Sequence, residues 1–318
     1  MKKDKKKTKF NIILLIVFII LFCYSISLVA MLAWGFVTSL KSRLDFETMG
    51  NVLGWPDNKL SADAMRLSNY LLVFKSFQYT LPANDYTSIF GTVEKADVQV
   101  NFGLLVFNSL AYAGVGSLIQ VFTVTTVAYI CSKYKYKFTE LMYVVALIVM
   151  IIPIVGAYPS EIKVLQDLGL YNTYIGMWVQ KMNYTGIYFF VLYAFFKGMP
   201  DSYIEAAEID GASQFSTYIR IVLPLAAKVI STVLLITFID YWNNYQVALL
   251  YFPSIPTLAF GVFNIQDQVW NQNTELNGAW GVPQKIAACM TLAIPLIVLF
   301  VALRNKILGD VSLGGLKE

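Results

Sequence analysis

The side chains best placed for chemistry within the apolar part of this chain are Asp240, Asn243 and Asn244. Their i, i+3, i+4 spacing predicts one carboxylate and two carboxamides on a single helical face, beside Tyr241 and Trp242. An ionisable group inside an apolar run of membrane length is by default a functional site, because burying it unpaired is costly. The chemistry on offer is hydrogen bonding along a pathway, and an interhelical polar network is the competing use of the same residues. Catalysis finds little to work with. The chain has no histidine, the commonest general base and metal ligand, and its apolar runs hold no nucleophile–base set. Cys23, Cys131 and Cys289 lie inside or at the ends of apolar runs without a CxxC pair and read as packing residues. No G-x-x-x-x-G-K-[ST] phosphate loop occurs, so ATP binding by this chain itself is not expected.

A second set of residues offers docking instead. Glu205-Ala206-Ala207-Glu208-Ile209-Asp210-Gly211-Ala212-Ser213, followed by Ile221-Val222-Leu223-Pro224, is a polar stretch wedged between two apolar runs. Ser202 with Glu205 fits a capping box and predicts a helix beginning near Tyr203. Asp210-Gly211 predicts its stop, Ser213 caps a second short helix, and Pro224 is expected to end that pattern before the next apolar run. Ala206 and Ala207 leave little bulk on one side, so a soluble partner can fit closely. Glu205, Glu208 and Asp210 supply charge for orienting contacts at the rim.

The elements that must position these residues form a membrane bundle. At 57% hydrophobic and 14% charged residues, the composition lies outside that of a soluble domain. Crossing the hydrocarbon core takes ~20 apolar residues, and six runs qualify: Ile12 to Val37, Phe102 to Cys131, Leu141 to Tyr158, Tyr174 to Phe196, Val229 to Phe252, and Ile286 to Leu303. The predicted fold is therefore an all-α polytopic protein with six transmembrane helices. Residues 1–37 form a basic head and an uncleaved first span, 38–101 an extracytoplasmic loop or small cap, and 102–318 a core of five spans containing the polar segment 198–226. Lys181 is expected toward the outer end of the fourth span, reaching the interface. Pro153 and Pro295 fall in span interiors and predict kinks. Ala111, Ala113, Gly114, Gly116 and Ser117 predict a close helix approach. Ala62 to Phe77 predicts a short helix in the first loop.

Lysine and arginine placement predicts both termini in the cytoplasm. That orientation puts the basic head, Lys133, Lys135, Lys137, Lys197, Arg220, Lys228, Arg304, Lys306 and Lys317 inside, and leaves the loop from Phe252 to Pro283 without a cation.

Glu205-Ala206-Ala207, Asp210-Gly211-Ala212 and Ile221 with Leu223-Pro224 together resemble the EAA loop of bacterial ABC importer permeases, particularly the carbohydrate-uptake, maltose permease-like subfamily. Asn108-Ser109, Pro153, Leu168-Gly169-Leu170-Tyr171-Asn172-Thr173, Trp242-Asn243 and the terminal Gly314-Gly315-Leu316-Lys317-Glu318 also look like that family. Similarity runs from about Asn101 to the C-terminus, whereas the loop before it is longer than the family pattern. The resemblance implies a type I importer permease subunit of the bacterial cytoplasmic membrane, without catalysis or cofactor of its own. It implies as partners a second permease in a heterodimer, two copies of a cytoplasmic ATPase that carry ATP and Mg, and an extracytoplasmic solute-binding protein. Nucleic acid has no place in it. Carried over, Glu205, Ala206, Ala207, Asp210 and Gly211 are the ATPase-docking residues; Asp240, Asn243 and Asn244 are candidate pathway residues on their own chemistry and spacing. Trp270, Asn273 and Trp280 are candidate contacts for the binding protein. A sugar or oligosaccharide is the expected cargo; a polyol phosphate or modified glycan is the alternative, and a membrane sensor or scaffold is the rival from another class.

Overall fold

The computed structural model describes residues 12–57, 67–83, 85–152, 156–270 and 280–308, with backbone alone at 267–270 and 303–308. The chain is mostly helical and divides into two compact units, Met1–Lys75 with Asn271–Thr291, and Ser76–Trp270 with Leu292–Glu318.

In the first unit, α1 (Ile12–Ser39) buries only Gly35, Thr38 and Ser39, all in its last turns. An apolar rod this exposed is at home in lipid, where a helix satisfies its own backbone. At Gly35 an added Cβ would stand 2.6 Å from Met290 Cε, so the glycine lets residues 282–291, the part of α14 (Val282–Leu308) within this unit, lie close to α1. Polar bonds then fasten the chain beyond α1. Lys41 is buried, and its Nζ donates to the carbonyls of Asn51 at 2.7 Å and Val52 at 3.1 Å. Asn69, in α2 (Ser68–Ser76), donates to Ser39 O at 2.7 Å and Lys41 O at 2.8 Å, and accepts from Gln284 Nε2 at 2.9 Å. The short helix expected within Ala62 to Phe77 is α2. Cys23 and Cys289 are exposed on this chain rather than packed inside it.

The second unit opens with four three-residue strands in two antiparallel pairs, β1 (Tyr79–Leu81) with β4 (Val98–Val100) and β2 (Tyr86–Ser88) with β3 (Gly91–Val93). Their Tyr, Thr and Val content suits a pleated, half-buried surface. A continuous 32-residue helix follows, made of α3 (Phe102–Ser109), a π-helical turn (Leu110–Val115) and α4 (Gly116–Lys133). Next come α5 (Lys137–Ile151), α6 (Tyr158–Asp167), α7 (Tyr174–Val179) and α8 (Ile187–Gly198). They lead to α9 (Ser202–Ile209), α10 (Gln214–Thr217), α11 (Leu223–Asn243), α12 (Tyr245–Tyr251) and α13 (Leu258–Trp270). Among the described residues, two cores hold the unit. One joins Tyr129, Phe189, Phe196, Tyr218 and Val222, and the other Tyr112, Tyr171, Met177, Tyr251 and Phe252.

Among the described residues, four helices have the length and apolarity to cross a membrane: Ile12–Ser39, Phe102–Lys133, Gln214–Asn243 and Val282–Ala302. The third expected run is a helix of 15 residues, and Pro153 lies outside the described residues. The fourth is broken between Val179 and Ile187, because the polar stretch Gln180 to Asn183 turns the chain and Gly186 adopts φ 126°, a conformation that side-chain-bearing residues avoid. The fifth starts earlier than expected, since Pro224 sits in the first turn of α11 and does not end the helix. A π turn over Tyr218–Val222 precedes it, in which Leu223 N–H bonds Tyr218 O five residues back. Proline has no N–H to offer the carbonyl four residues back and presses its ring upon it; the wider turn accommodates both. Pro295 lies inside α14.

Candidate functional site

The polar segment folds by local rules. The α9 helix begins at Ser202, one residue earlier than a capping box at Ser202 would place it, with Asp201 at the N-cap and no side-chain capping bond. Its end is a Schellman motif. Ala212 N–H bonds Ala207 O at 2.9 Å and Gly211 N–H bonds Glu208 O at 3.0 Å, while Gly211 takes φ 77°, the left-handed conformation this motif requires. Ser213 then caps α10 as expected, accepting from Ser216 N–H at 3.3 Å. The turn between α9 and α10 thus has its backbone groups satisfied and its geometry set.

Long-range bonds join this motif to the membrane helices of the same unit. Lys133, the last residue of α4, donates from Nζ to Met199 O and Asp201 Oδ1, both at 2.6 Å. The hydrogen bond and charge of Lys133 hold the Asp201 carboxyl below its ordinary range, with Lys135 adding to the effect. Tyr134 donates its hydroxyl to Gln214, whose Nε2 donates to Glu208 Oε1 at 3.1 Å. Deeper in, Tyr218 stacks on Tyr129 of α4 with ring centroids 5.0 Å apart, and its hydroxyl shares a 2.9 Å hydrogen bond with Thr126. Tyr129 in turn meets Phe196 of α8 edge-on at 5.6 Å. Packed rings and charge-assisted bonds therefore tie α9 and α10 to α4 and α8, contacts that resist independent sliding.

Among the residues singled out in the sequence, Glu205, Ala206, Asp210 and Gly211 are exposed together. Ala207 is buried, so it seats α9 against the unit instead of presenting a surface. The sequence reading missed Ile209 and Phe215, which are 86% and 72% exposed. Two large apolar side chains left outside the buried face of a short amphipathic motif were the available signal, since apolar exposure beside a polar rim marks an interaction surface. From the sequence alone Lys133 carries only a topology signal.

The pathway candidates separate. Asp240 and Asn243 are exposed on the last turns of α11, and Asn243 Nδ2 donates to Ile239 O at 3.0 Å. The helix stops at Asn243, so Asn244 leaves the shared face; its Oδ1 caps α12 by accepting from Val247 N–H at 3.1 Å. Trp280 is buried in the first unit. Asn273 and the Trp270 side chain lie outside the described residues.

Asn108-Ser109, noted in the sequence for resemblance alone, pin α3 to the chain between α12 and α13. Asn108 donates to Pro256 O at 2.9 Å and accepts from the Tyr174 hydroxyl at 2.6 Å, while Ser109 Oγ accepts from Leu258 N–H at 2.7 Å. Asn172 does the same for the turn before α7. It sits at φ 56°, tolerable for asparagine, donates to Ser254 Oγ at 2.8 Å and accepts from Ser254 N–H at 2.9 Å.

Comparison with known proteins agrees with this arrangement. The chain is similar to the melibiose/raffinose/stachyose import permease protein MelC of Bacillus subtilis (strain 168), 25% identical over 236 residues that cover 72% of this chain and 81% of the relative. It is 27% identical over 225 residues to the trehalose/maltose transport system permease protein MalG of Thermococcus litoralis, covering 70% of this chain and 78% of the relative. The fold matches a chain in the crystal structure of a bacterial ABC transporter involved in the import of the acidic polysaccharide alginate, with a TM-score of 0.69, 17% identity, and coverage of 94% and 99% of the two chains. Residues 124–309, more than half of the 318, match the family described as binding-protein-dependent transport system inner membrane component. That stretch contains the whole helix-turn-helix with its ties to α8 and α11, and the chain belongs to this family.

Proposed function

We propose that this chain is one permease of a heterodimeric pore that imports a sugar or oligosaccharide. A second permease completes the pore, two copies of an ATPase hydrolyse ATP with Mg in the cytoplasm, and a solute-binding protein delivers cargo outside. Membership of the family makes the chain the inner-membrane component of a binding-protein-dependent ABC importer; the cargo class is supported by the sugars named for its relatives. The chain itself has no catalytic role in this scheme. Six spans with both termini in the cytoplasm put the helix-turn-helix on the ATPase side.

The observation that carries the mechanism is the pairing of an exposed rim with an anchored base. Glu205, Ala206, Asp210 and Gly211, with Ile209 and Phe215, form the face on which the ATPase docks, and Ala207 seats α9 beneath it. ATP-driven closure of the ATPases moves this face. Lys133 and Tyr218 pass the motion to α4 and α11, so that the pore alternates between outward and inward access. Asp240 and Asn243 then line the route of the solute, with Asn244 shaping the α11–α12 bend.

The test is recovery of partners from native membranes in mild detergent. Wild-type chain should bring down an ATPase and a second permease, and a Glu205→Lys, Gly211→Pro variant should lose the ATPase while keeping the second permease. A wild-type chain that recovers no ATPase, or a variant that retains it unchanged, sinks the proposal.

A further inference from the structure

A cavity of about 540 Å³ opens in the second unit between α6, the turn after α7, and α12, lined among others by Tyr158, Glu161, Gln180, Lys181, Asn183 and Tyr251. Its size lies within the range of roughly 300 to 1,000 Å³ typical of small-molecule sites. The placement of Lys181 is the unusual feature. Its ammonium lies 5.1 Å from the ring centroid of Tyr112 and 4.6 Å from that of Tyr241. The two rings stack on each other at 5.2 Å, and the Tyr241 hydroxyl is fixed by Gln120. Below it, the Lys181 stem passes over Gly116, where an added Cβ would stand 3.5 Å from Lys181 Cγ and 3.6 Å from the Tyr241 ring. The small-residue stretch of the second span is used for this approach.

The rings hold the charge but supply no oxygen. Among the described residues Lys181 Nζ has no hydrogen-bond acceptor, and the opposite charge that acts on it is the Glu161 carboxylate, so its three N–H donors are open to a ligand. Gln180 Oε1 is, among the described residues, a buried acceptor without a donor. Glu161, which takes a hydrogen bond from the Tyr251 hydroxyl, adds a carboxylate to the same wall. Donors and acceptors lining one cavity, with one positive and one negative charge, suit a ligand whose polar groups are each donor and acceptor and which carries no net charge. A saccharide hydroxyl has that character. An anion would face Glu161 and a cation Lys181. The Tyr158 and Tyr251 rings, edge-to-face at 6.1 Å, give the C–H face of a pyranose an apolar surface to rest on.

We propose that this cavity is a subsite for a neutral saccharide, one to two rings at a time, with Lys181 and Glu161 as its polar anchors. It rests on the importer reading and adds that this permease touches cargo directly. The test uses the full chain purified with its co-purifying ATPase and second permease in lipid nanodiscs, without the binding protein. Saturation-transfer NMR would be read against raffinose and maltotriose as neutral probes and trigalacturonate as an acidic one. Expected is binding of at least one neutral probe, weakened tenfold or more by Lys181→Met, as loss of a charged hydrogen bond implies, and weakened also by Glu161→Gln. ATPase recovery should be unchanged in both variants. Two variants guard against misfolding of either. Binding of neither neutral probe, or equal binding by wild type and both variants, overturns the subsite. So does preference for trigalacturonate with a gain in Glu161→Gln, which would mark an anion site. Absence of the ATPase from the wild-type preparation is a different failure, that of the importer reading itself.

Discussion

Lys133 Nζ lies 2.6 Å from Asp201 Oδ1 and 2.6 Å from Met199 O. One ammonium thereby fastens the end of α4 to the joint between α8 and α9. Because Lys133 lowers the Asp201 carboxyl from its ordinary value of 3.8, the folded chain binds fewer protons there than the unfolded one. The stabilisation is complete above pH 3.8 and fades as pH falls through the lowered native value. With Asp201 mostly solvated, the effect on global stability is small. Thermal unfolding in detergent from pH 2.5 to 6 should show a shallower acid limb in Lys133→Met than in wild type, and nearly the wild-type limb in Lys135→Met. Identical limbs for wild type and Lys133→Met would remove the pair from this account.

Gly211 has open space around its missing Cβ, so only its φ of 77° opposes a side chain. Gly211→Ala should cost about 1 kcal/mol, the usual order for placing an L-residue in the left-handed region, and Gly211→Asn less. Chemical denaturation compared with ATPase recovery checks this, since loosening the turn should weaken docking in the same rank order.

Ile209 and Phe215 make little contact within the chain, being 86% and 72% exposed. Ile209→Asp and Phe215→Ala should leave the unfolding midpoint within about 0.5 kcal/mol of wild type, as for surface sites generally. Each should cut ATPase affinity tenfold or more if it anchors the interface. A fall in stability of 2 kcal/mol without loss of docking would reassign them to the fold.

Asn108 is buried and serves both Tyr174 and Pro256. Asn108→Leu strands a carbonyl and a hydroxyl, so a loss of about 2 to 4 kcal/mol is expected. Tyr174→Phe, which removes one partner of one bond, should cost nearer 1 kcal/mol. Equal, negligible losses in a detergent melt would show that solvent replaces both bonds.

What could be read before folding was whatever depends on neighbours in the chain. Asp210-Gly211-Ala212 stops a helix by bonds that span five residues, and Ser213 starts the next within three, so the helix-turn-helix is legible in outline. The apolar rods of α1 and α14 were legible from composition. Ser202 was misplaced as a cap because the backbone already turns helical at Asp201, whose carboxylate is drawn to Lys133, 68 residues away. The fourth span was read as continuous because its apolar content outweighs Gln180 to Asn183 on average, while φ at Gly186 depends on where α8 must pack. Nothing local to Lys181 announces that Tyr112 and Tyr241 stack to receive it. The exposure of Ile209 is likewise a property of what α9 leaves uncovered.

The π turn at Tyr218–Val222 carries one residue more than an α turn would need. Were it to tighten to α geometry, the chain on one side would have to rotate by roughly 100° about the helix axis, one residue's worth of phase. On the proposed docking of an ATPase at α9 and α10, this turn is the point at which a push on them would become a twist of α11. Pro224, immediately beyond it, sets where that extra residue is held.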